Sequence, residues 1–155
     1  MDPGYEPRLA TPDDAAEVAR LLHDFNVEFD TPSPGAVVLE GRLRRLLAGD
    51  EVFALLAGRP AAAVALVTLR PNVWYGGRVA LLDELYVVPR LRDQGIGSAV
   101  MGLLMSTCRR RGVDLVEINV DEGDTDTQRF YRRHGFRMSE QGSDERAFYF
   151  FQELA

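Results

Sequence analysis

Apolar residues that recur at every third or fourth position predict two helices in the N-terminal part of the chain. Residues 8–10 end a short first strand, and the first helix follows with Thr11 as its N-cap and Pro12 in the first helical position. A break rich in proline at residues 31–35 precedes the second helix, which ends near Gly49. The apolar stripes of these helices comprise Val18, Leu21, Leu22 and Phe25, then Val38, Leu39, Leu43, Leu46 and Leu47.

Longer apolar runs predict strands in the middle of the chain. Residues 51–57 and 61–70 are expected to form a hairpin about the turn Gly58-Arg59-Pro60. Residues 78–88 form the next strand, and residues 113–120 a further one. The strand 78–88 differs from the others because two acidic residues interrupt its apolar run.

Two more helices and a last hairpin complete the predicted fold. One helix begins near Gly95 and ends at Gly112, and the other covers residues 125–134. Residues 136–139 and 147–151 are expected to pair as the last hairpin. The order β-α-α-β-β-β-α-β-α-β-β indicates an α/β fold in one domain over residues 1–155, with a central mixed sheet and helices on both faces.

Composition and charge exclude several classes of protein. The chain has 155 residues, 46% of them hydrophobic and 27% charged, which is typical of one globular domain. A net charge of -6 argues against nucleic acid as a partner and is compatible with a cationic substrate. Cys108 is the only cysteine, and His23 and His134 lie far apart, so no metal is expected.

The hydropathy pattern predicts no membrane partner. No apolar stretch approaches the roughly 20 residues that span a bilayer. The N-terminus has neither a basic start nor an apolar core, so no signal peptide is predicted. A cytoplasmic location follows by default.

The segment from residue 85 to residue 98 is a candidate phosphate site, because a strand runs into a helix opened by Gly95 and Gly97. A helix N-terminus exposes unpaired N–H groups, and glycine lets phosphate oxygens approach the backbone. Arg90 and Arg92 could add positive charge. An ordinary strand-to-helix turn is the alternative, whereas the dinucleotide fingerprint would need a third glycine where Val100 stands.

The spacing Arg92-x-x-Gly95-x-Gly97 resembles the Arg/Gln-x-x-Gly-x-Gly/Ala motif of the GNAT superfamily of acyl-CoA N-acyltransferases, and the preceding Leu-x-Val-x-Pro run is in register with it. The resemblance implies acetyl-CoA as co-substrate. It places the coenzyme A pyrophosphate on Arg92, Asp93, Gln94, Gly95, Ile96, Gly97 and Ser98, and the pantetheine arm along Leu85, Tyr86 and Val87.

A second segment, Phe130-Tyr131-x-x-x-Gly135-Phe136, is similar to the Phe-Tyr-x-x-x-Gly-Phe segment of the same family and follows the expected elements. The resemblance then covers essentially the whole chain. It implies that Tyr131 protonates the departing thiolate, and the alternative is an aromatic residue that fills the core. Asp124 stands where the family often has asparagine, so it either contacts the cofactor or caps the helix.

Acetyl transfer to an amine requires a base, because an alkyl ammonium with a pKa of about 10.4 must lose a proton before it attacks. Asp83 and Glu84 are the candidates, since acids are rare inside apolar strands. As neighbours they face opposite sides of the sheet unless a bulge intervenes. Glu84 is slightly favoured for its longer side chain, and a structural pairing with arginine or a backbone N–H is the alternative. By resemblance, the N–H of Val87 stabilises the oxyanion.

The sequence thus predicts an N-acetyltransferase acting on an amine of a small molecule, peptide or protein. The alternative is a catalytically degenerate GNAT domain that binds acyl-CoA as a sensor or scaffold. A homodimer remains open, and the acceptor is not specified by the sequence. Asp24, Glu28 and Asp30, with the aromatic residues at 74 and 75, either form a pocket for a cationic amine or belong to solvated loops.

Overall fold

Strands and helices alternate along the chain in the computed structural model, which describes residues 2–154. Contacts divide the chain into two units, one up to Ile118 and one from Asn119 onward. The elements of the first unit are β1 Pro7–Leu9, α1 Ala15–Glu28, α2 Ala36–Leu46, β2 Val52–Ala57, β3 Ala63–Arg70, β4 Arg78–Val87, α3 Ile96–Arg110 and β5 Val113–Glu117. The second unit contains α4, Thr125–Arg133. Short 3-10 turns lie at Pro3–Tyr5, Pro12–Asp14 and Pro89–Leu91.

The first unit is built on one sheet with the strand order β1-β2-β3-β4-β5. The first four strands are antiparallel neighbours, whereas β4 and β5 run parallel. Helices α1 and α2 pack on one face of the sheet, and α3 contacts every strand of it. The predicted mixed α/β architecture is therefore confirmed.

Local sequence explains where the first helix begins. The backbone N–H of Thr11 donates to the Asp14 carboxylate at 2.8 Å, and the two residues form a capping box. Arg8 of β1 pairs with the same carboxylate at 2.9 Å. The predicted cap at Thr11 is thus confirmed, with one 3-10 turn between the cap and α1.

The α1/α2 face of the sheet carries a continuous apolar core. Alternate residues of β2, β3 and β4 reach this core, while their neighbours point to the other face, as the period of a strand requires. The buried residues of the core are Ala15, Val18, Ala19, Leu21, Leu22, Leu43, Ala54, Leu56, Ala61, Val64 and Tyr86, with Leu66 and Val88 packed against them. This core fixes the face on which the site residues of β4 lie.

The second unit is organised around α4. Asp124 caps the helix by accepting a hydrogen bond from the N–H of Thr127 at 3.1 Å, and Gly135 ends it with a φ of 87°. Burial and the nearby charge of Arg133 lower the pKa of His134.

The last predicted hairpin, residues 136–139 with 147–151, is absent from the described part of the chain. A turn does form, with the N–H of Ser143 donating to the carbonyl of Glu140 at 3.1 Å, but the two arms do not pair as strands. The aromatic residues at positions 148–151 are exposed. Aromatic side chains favour strands only where they pack on a sheet, and an isolated two-stranded hairpin is marginal in water.

None of the helices within residues 2–154 is both long and apolar enough to cross a membrane.

Candidate active site

Strands β4 and β5 separate halfway along β4. Their parallel pairing runs from Arg78 opposite Val113 to Leu81 opposite Glu117, where β5 ends. Strand β4 continues for six more residues, to Val87, and stays paired with β3 on its other side. Within the first unit, this half of β4 therefore presents a backbone edge with no strand beside it.

The orientation of this edge follows from one hydrogen bond at its end. The N–H of Val88 donates to the carbonyl of Ala62 at 2.9 Å, so the backbone of Val88 faces β3. Backbone groups alternate in direction along a strand of an antiparallel pair, so those of Leu85 and Val87 face away from β3. These are two of the three residues predicted to hold the pantetheine arm. Tyr86, the third, turns its ring into the α1/α2 core.

The segment after β4 leads directly into the N-terminus of α3. It passes through the 3-10 turn Pro89–Leu91, turns at Asp93 with a φ of 60°, and reaches the N-cap Gly95 with a φ of 85°. The first helical hydrogen bond joins the N–H of Ala99 to the carbonyl of Gly95 at 3.0 Å. Helix geometry therefore leaves the amides of Ile96 and Gly97 without acceptors in the helix, as an anion site requires.

Arg92 is held by protein groups at the start of this loop. Its guanidinium contacts both carboxylate oxygens of Glu28 at 2.7 and 2.9 Å, and its Nε donates to the carbonyl of Val87 at 2.9 Å. The sequence predicted positive charge for phosphate at Arg92. The structure shows that Glu28 already balances that charge.

A β-bulge brings the two strand acids to the same face of the sheet. Leu66 of β3 lies opposite Glu84, but the next residue, Val67, lies opposite Leu82, so Asp83 is the extra residue. Glu84 shares the α1/α2 face with Leu66. The hydroxyl of Thr68, two positions after Leu66 and hence on that face, donates to the Asp83 carboxylate at 2.5 Å.

The environment raises the pKa of both acids. Burial and the charge of Asp83 raise the pKa of Glu84 above its usual range. Burial also raises the pKa of Asp83, and the hydrogen bond from Thr68 opposes this. Among residues 2–154 neither acid forms an ion pair. The alternative that either acid serves as a partner for arginine is therefore wrong for the described residues.

Two acids of the predicted acceptor pocket, Asp24 and Glu28, are paired with arginine residues. The Asp24 carboxylate lies 3.6 Å from the guanidinium of Arg20, and Glu28 is paired with Arg92. Trp74 is 85% exposed in the loop between β3 and β4.

Burial raises the pKa of the Cys108 thiol, which disfavours the thiolate. Thr68 could not be identified from the sequence, because no local signal marks a threonine that will lie near a bulge.

Tyr131 lies on α4 in the second unit and is 5% exposed. Its ring makes edge contacts with Phe130 and Phe136 at centroid distances of 5.2 and 5.4 Å. The helix-capping role that the sequence allowed for Asp124 is confirmed by its bond to Thr127. The roles of Tyr131 as acid and of Asp124 as a cofactor contact stay predictions.

Solved structures share this architecture. A proposed acetyltransferase from Arthrobacter sp. FB24 is 51% identical, with 96% of this chain and 95% of that chain covered and a TM-score of 0.90. The aminoglycoside acetyltransferase meta-AAC0020 from an uncultured soil metagenomic sample, in complex with sisomicin, has a TM-score of 0.80 with 99% of both chains covered. Its sequence is 16% identical, so this likeness concerns the fold alone.

Sequence comparison leads to the same family. The aminoalkylphosphonate N-acetyltransferase of Salmonella typhimurium is 29% identical over 86 residues, or 54% of this chain. The aligned region spans 56% of the length of that curated relative. The sequence profile of the acetyltransferase (GNAT) family matches residues 16–136. Because this match spans well over half of the chain, the protein belongs to the acetyltransferase (GNAT) family.

Proposed function

We propose that this protein transfers the acetyl group of acetyl-CoA to an amine by direct attack, with Glu84 as the base. The observation that carries the proposal is the bulge at Asp83. The bulge places the carboxylates of Asp83 and Glu84 on one face of β4, just after the pairing of β4 with β5 ends. Neither carboxylate has a cationic partner among the described residues. A raised pKa makes Glu84 a better proton acceptor than an ordinary surface glutamate.

The reaction passes through a tetrahedral intermediate, and the amine nitrogen loses two protons in all. Glu84 takes a proton from the ammonium, directly or through water, and the amine nitrogen bonds to the thioester carbonyl carbon. The carbonyl electron pair moves to oxygen, where the N–H of Val87 is proposed to stabilise the negative charge. The C–S bond then breaks as the pair returns, the nitrogen releases its second proton to water, and the thiolate takes a proton from a donor that water then reprotonates. We assign that proton to Tyr131 on the strength of its motif.

Acetyl-CoA is proposed to bind along the unpaired edge of β4 and at the N-terminus of α3. The amides of Ile96 and Gly97 supply donors for the pyrophosphate, and the helix dipole adds partial positive charge. Leu85 and Val87 supply backbone groups for the amides of the pantetheine arm. This assignment uses no metal ion.

The acceptor is proposed to be a primary amine that carries further positive charge. Asp83 and Glu84 favour a cation, and the net charge of -6 favours its approach. The curated relative differs in this respect, since it is named for aminoalkylphosphonates. An aminoalkylphosphonate carries an anionic group that Asp83 and Glu84 would repel.

Release of free thiol from acetyl-CoA tests the proposal. The panel contains polyamines, an aminoglycoside, an aminoalkylphosphonate and acidic amino acids, and product mass identifies the acetylated amine. Acetylation of an amine by the wild type, together with loss of that activity in Glu84→Gln, would support the proposed acetyltransferase function. Tight binding of acetyl-CoA without turnover on any amine would instead support the degenerate acyl-CoA sensor.

A further inference from the structure

Glu28 lies at the last position of α1, and its carboxylate reaches the cofactor loop. One guanidinium nitrogen of Arg92, Nη2, contacts both of its oxygens, although the residues are 64 positions apart in the chain. The side chains are 25% and 38% exposed, so solvent screens the pair only in part. Charge-assisted hydrogen bonds of this kind are shorter and stronger than those between neutral groups.

Two further contacts tie the pair to the end of β4. Arg92 donates from Nε to the carbonyl of Val87, and its guanidinium lies 5.6 Å from the ring centre of Tyr86. The Tyr86 hydroxyl donates to Glu28 at 3.4 Å. The end of α1, the end of β4 and the start of the loop are thus joined through one guanidinium.

We propose that Glu28 is a positioning residue for acetyl-CoA binding: it holds Arg92, and through Arg92 it fixes the loop that presents the amides of Ile96 and Gly97. The inference rests on the proposed function, because the loop has this role only if it binds the coenzyme. It differs from the expectation that Glu28 contacts the acceptor amine, since both of its carboxylate oxygens are engaged by Arg92.

The loop needs such an anchor for a physical reason. Asp93, directly after Arg92, has a φ of 60°, which costs free energy in a residue with a side chain. A backbone of this kind persists only where its surroundings hold it. Without Glu28, Arg92 would be free to leave the Val87 carbonyl, and binding would have to order the loop at a cost in affinity.

Titration calorimetry with acetyl-CoA and steady-state kinetics test the proposal in four variants. They are Glu28→Gln, Arg92→Gln, the double variant, and Glu40→Gln as control. Glu40 forms a comparable ion pair, 2.9 Å from Arg44 within α2, on an exposed surface. Hydrogen exchange of the loop amides in the free protein reports loop order without the coenzyme.

We expect Glu28→Gln to weaken acetyl-CoA binding by about three- to tenfold, the scale of a partly exposed charge-assisted pair. The KM for acetyl-CoA should rise equally, kcat should stay within about twofold, and exchange of the amides at 93–97 should quicken. The effects of Glu28→Gln and Arg92→Gln should not add, because one residue acts through the other. Glu40→Gln should match the wild type.

Each contrary result identifies a different failure. Equal affinity and equal loop exchange in wild type and Glu28→Gln would overturn the positioning role while leaving the proposed function intact. Additive effects of Glu28→Gln and Arg92→Gln would also overturn it. A change in KM for the amine alone would overturn it as well, and would make Glu28 an acceptor contact. A wild-type protein with no affinity for acetyl-CoA would overturn the proposed function, and the positioning role with it.

Discussion

The hydroxyl of Thr68 on β3 donates a hydrogen bond of 2.5 Å to the carboxylate of Asp83 on β4, next to the bulge that shifts the register of the two strands. This bond distinguishes the two adjacent acids. Asp83 is fixed by its partner, whereas Glu84 has no hydrogen bond to another side chain within residues 2–154. We therefore propose Glu84, rather than Asp83, as the group that exchanges a proton.

Glu84→Gln is expected to lower kcat by about 10²- to 10⁴-fold, the usual range for loss of a general base. Asp83→Asn should have a smaller effect, because Asp83 acts on Glu84 through its charge. Steady-state kinetics over a range of pH would measure both, and Asp83→Asn should move the acidic limb of the kcat profile to lower pH by removing the charge that raises the pKa of Glu84.

Glu117→Gln provides the matched control, since Glu117 lies on β5 in an ion pair with Arg70 at 3.3 Å. It should keep nearly full activity. If Asp83→Asn proved far more damaging than Glu84→Gln, the roles of the two acids would have to be exchanged.

Glu84→Gln is also expected to raise the free energy of unfolding at neutral pH. Burial raises the pKa of Glu84 in the folded protein above its ordinary value of 4.5. Between the unfolded-state pKa and the folded-state pKa, the folded protein therefore binds more protons than the unfolded chain. Its free energy of unfolding falls as the pH rises through the folded-state pKa. Glutamine has no charge to desolvate, so this loss should disappear.

Urea unfolding of the wild type and Glu84→Gln at several pH values from about 4 to 8 would measure the difference. The two curves should converge at the acidic end, where Glu84 is protonated. A variant that is less stable at neutral pH would show that the ionised carboxylate stabilises the fold.

Gly97→Asp is expected to weaken acetyl-CoA binding by at least about tenfold, because it adds bulk and negative charge at the first turn of α3, where a phosphate would lie. Gly102→Asp is the matched control. It makes the same change on an exposed position of the same helix, where an added Cβ meets nothing within 4 Å. Calorimetric titration would separate the two, and equal affinities would remove the loop from the cofactor site.

Tyr131→Phe is expected to keep the affinity for acetyl-CoA and to lower kcat by about 10²-fold. The edge contacts of the ring with Phe130 and Phe136 survive, while the hydroxyl that is proposed to protonate the thiolate is lost. A thiolate with a pKa of about 8.5 leaves readily, so the low end of the range for acid catalysis applies. Tyr149→Phe, at an exposed position, serves as the control. An unchanged kcat for Tyr131→Phe would reduce Tyr131 to a packing residue.

A cationic acceptor should show a KM that rises with ionic strength, because salt screens its attraction to Asp83 and Glu84 over a Debye length of about 10 Å at 0.1 M. A neutral amine of similar size provides the comparison. Measuring KM from low salt to 0.3 M decides the point, and activity confined to acidic amino acids or phosphonates would refute the cationic preference.

Much of the first unit could be predicted because its signals are local. The apolar stripe of α1, the cap at Thr11 and the glycines before α3 each determine structure within a few residues. The bulge at Asp83 could not be predicted, because no glycine or proline marks it and it depends on how β3 and β4 pair. The contact between Glu28 and Arg92 depends on tertiary packing across the whole first unit. The last hairpin was predicted from aromatic strand propensity, which does not supply a pairing partner.

The separation of β4 from β5 has a thermodynamic consequence. The backbone groups of Leu85 and the N–H of Val87, which face the gap, have no partner strand within the first unit, and a bound co-substrate would give them fixed partners. The ligand would then act as an additional strand, and saturation should stiffen the sheet. A ligand at 100 times its Kd adds about 2.7 kcal/mol to the stability of the state that binds it. The thermal unfolding temperature should therefore rise with acetyl-CoA concentration, and this can be measured even before an amine is identified.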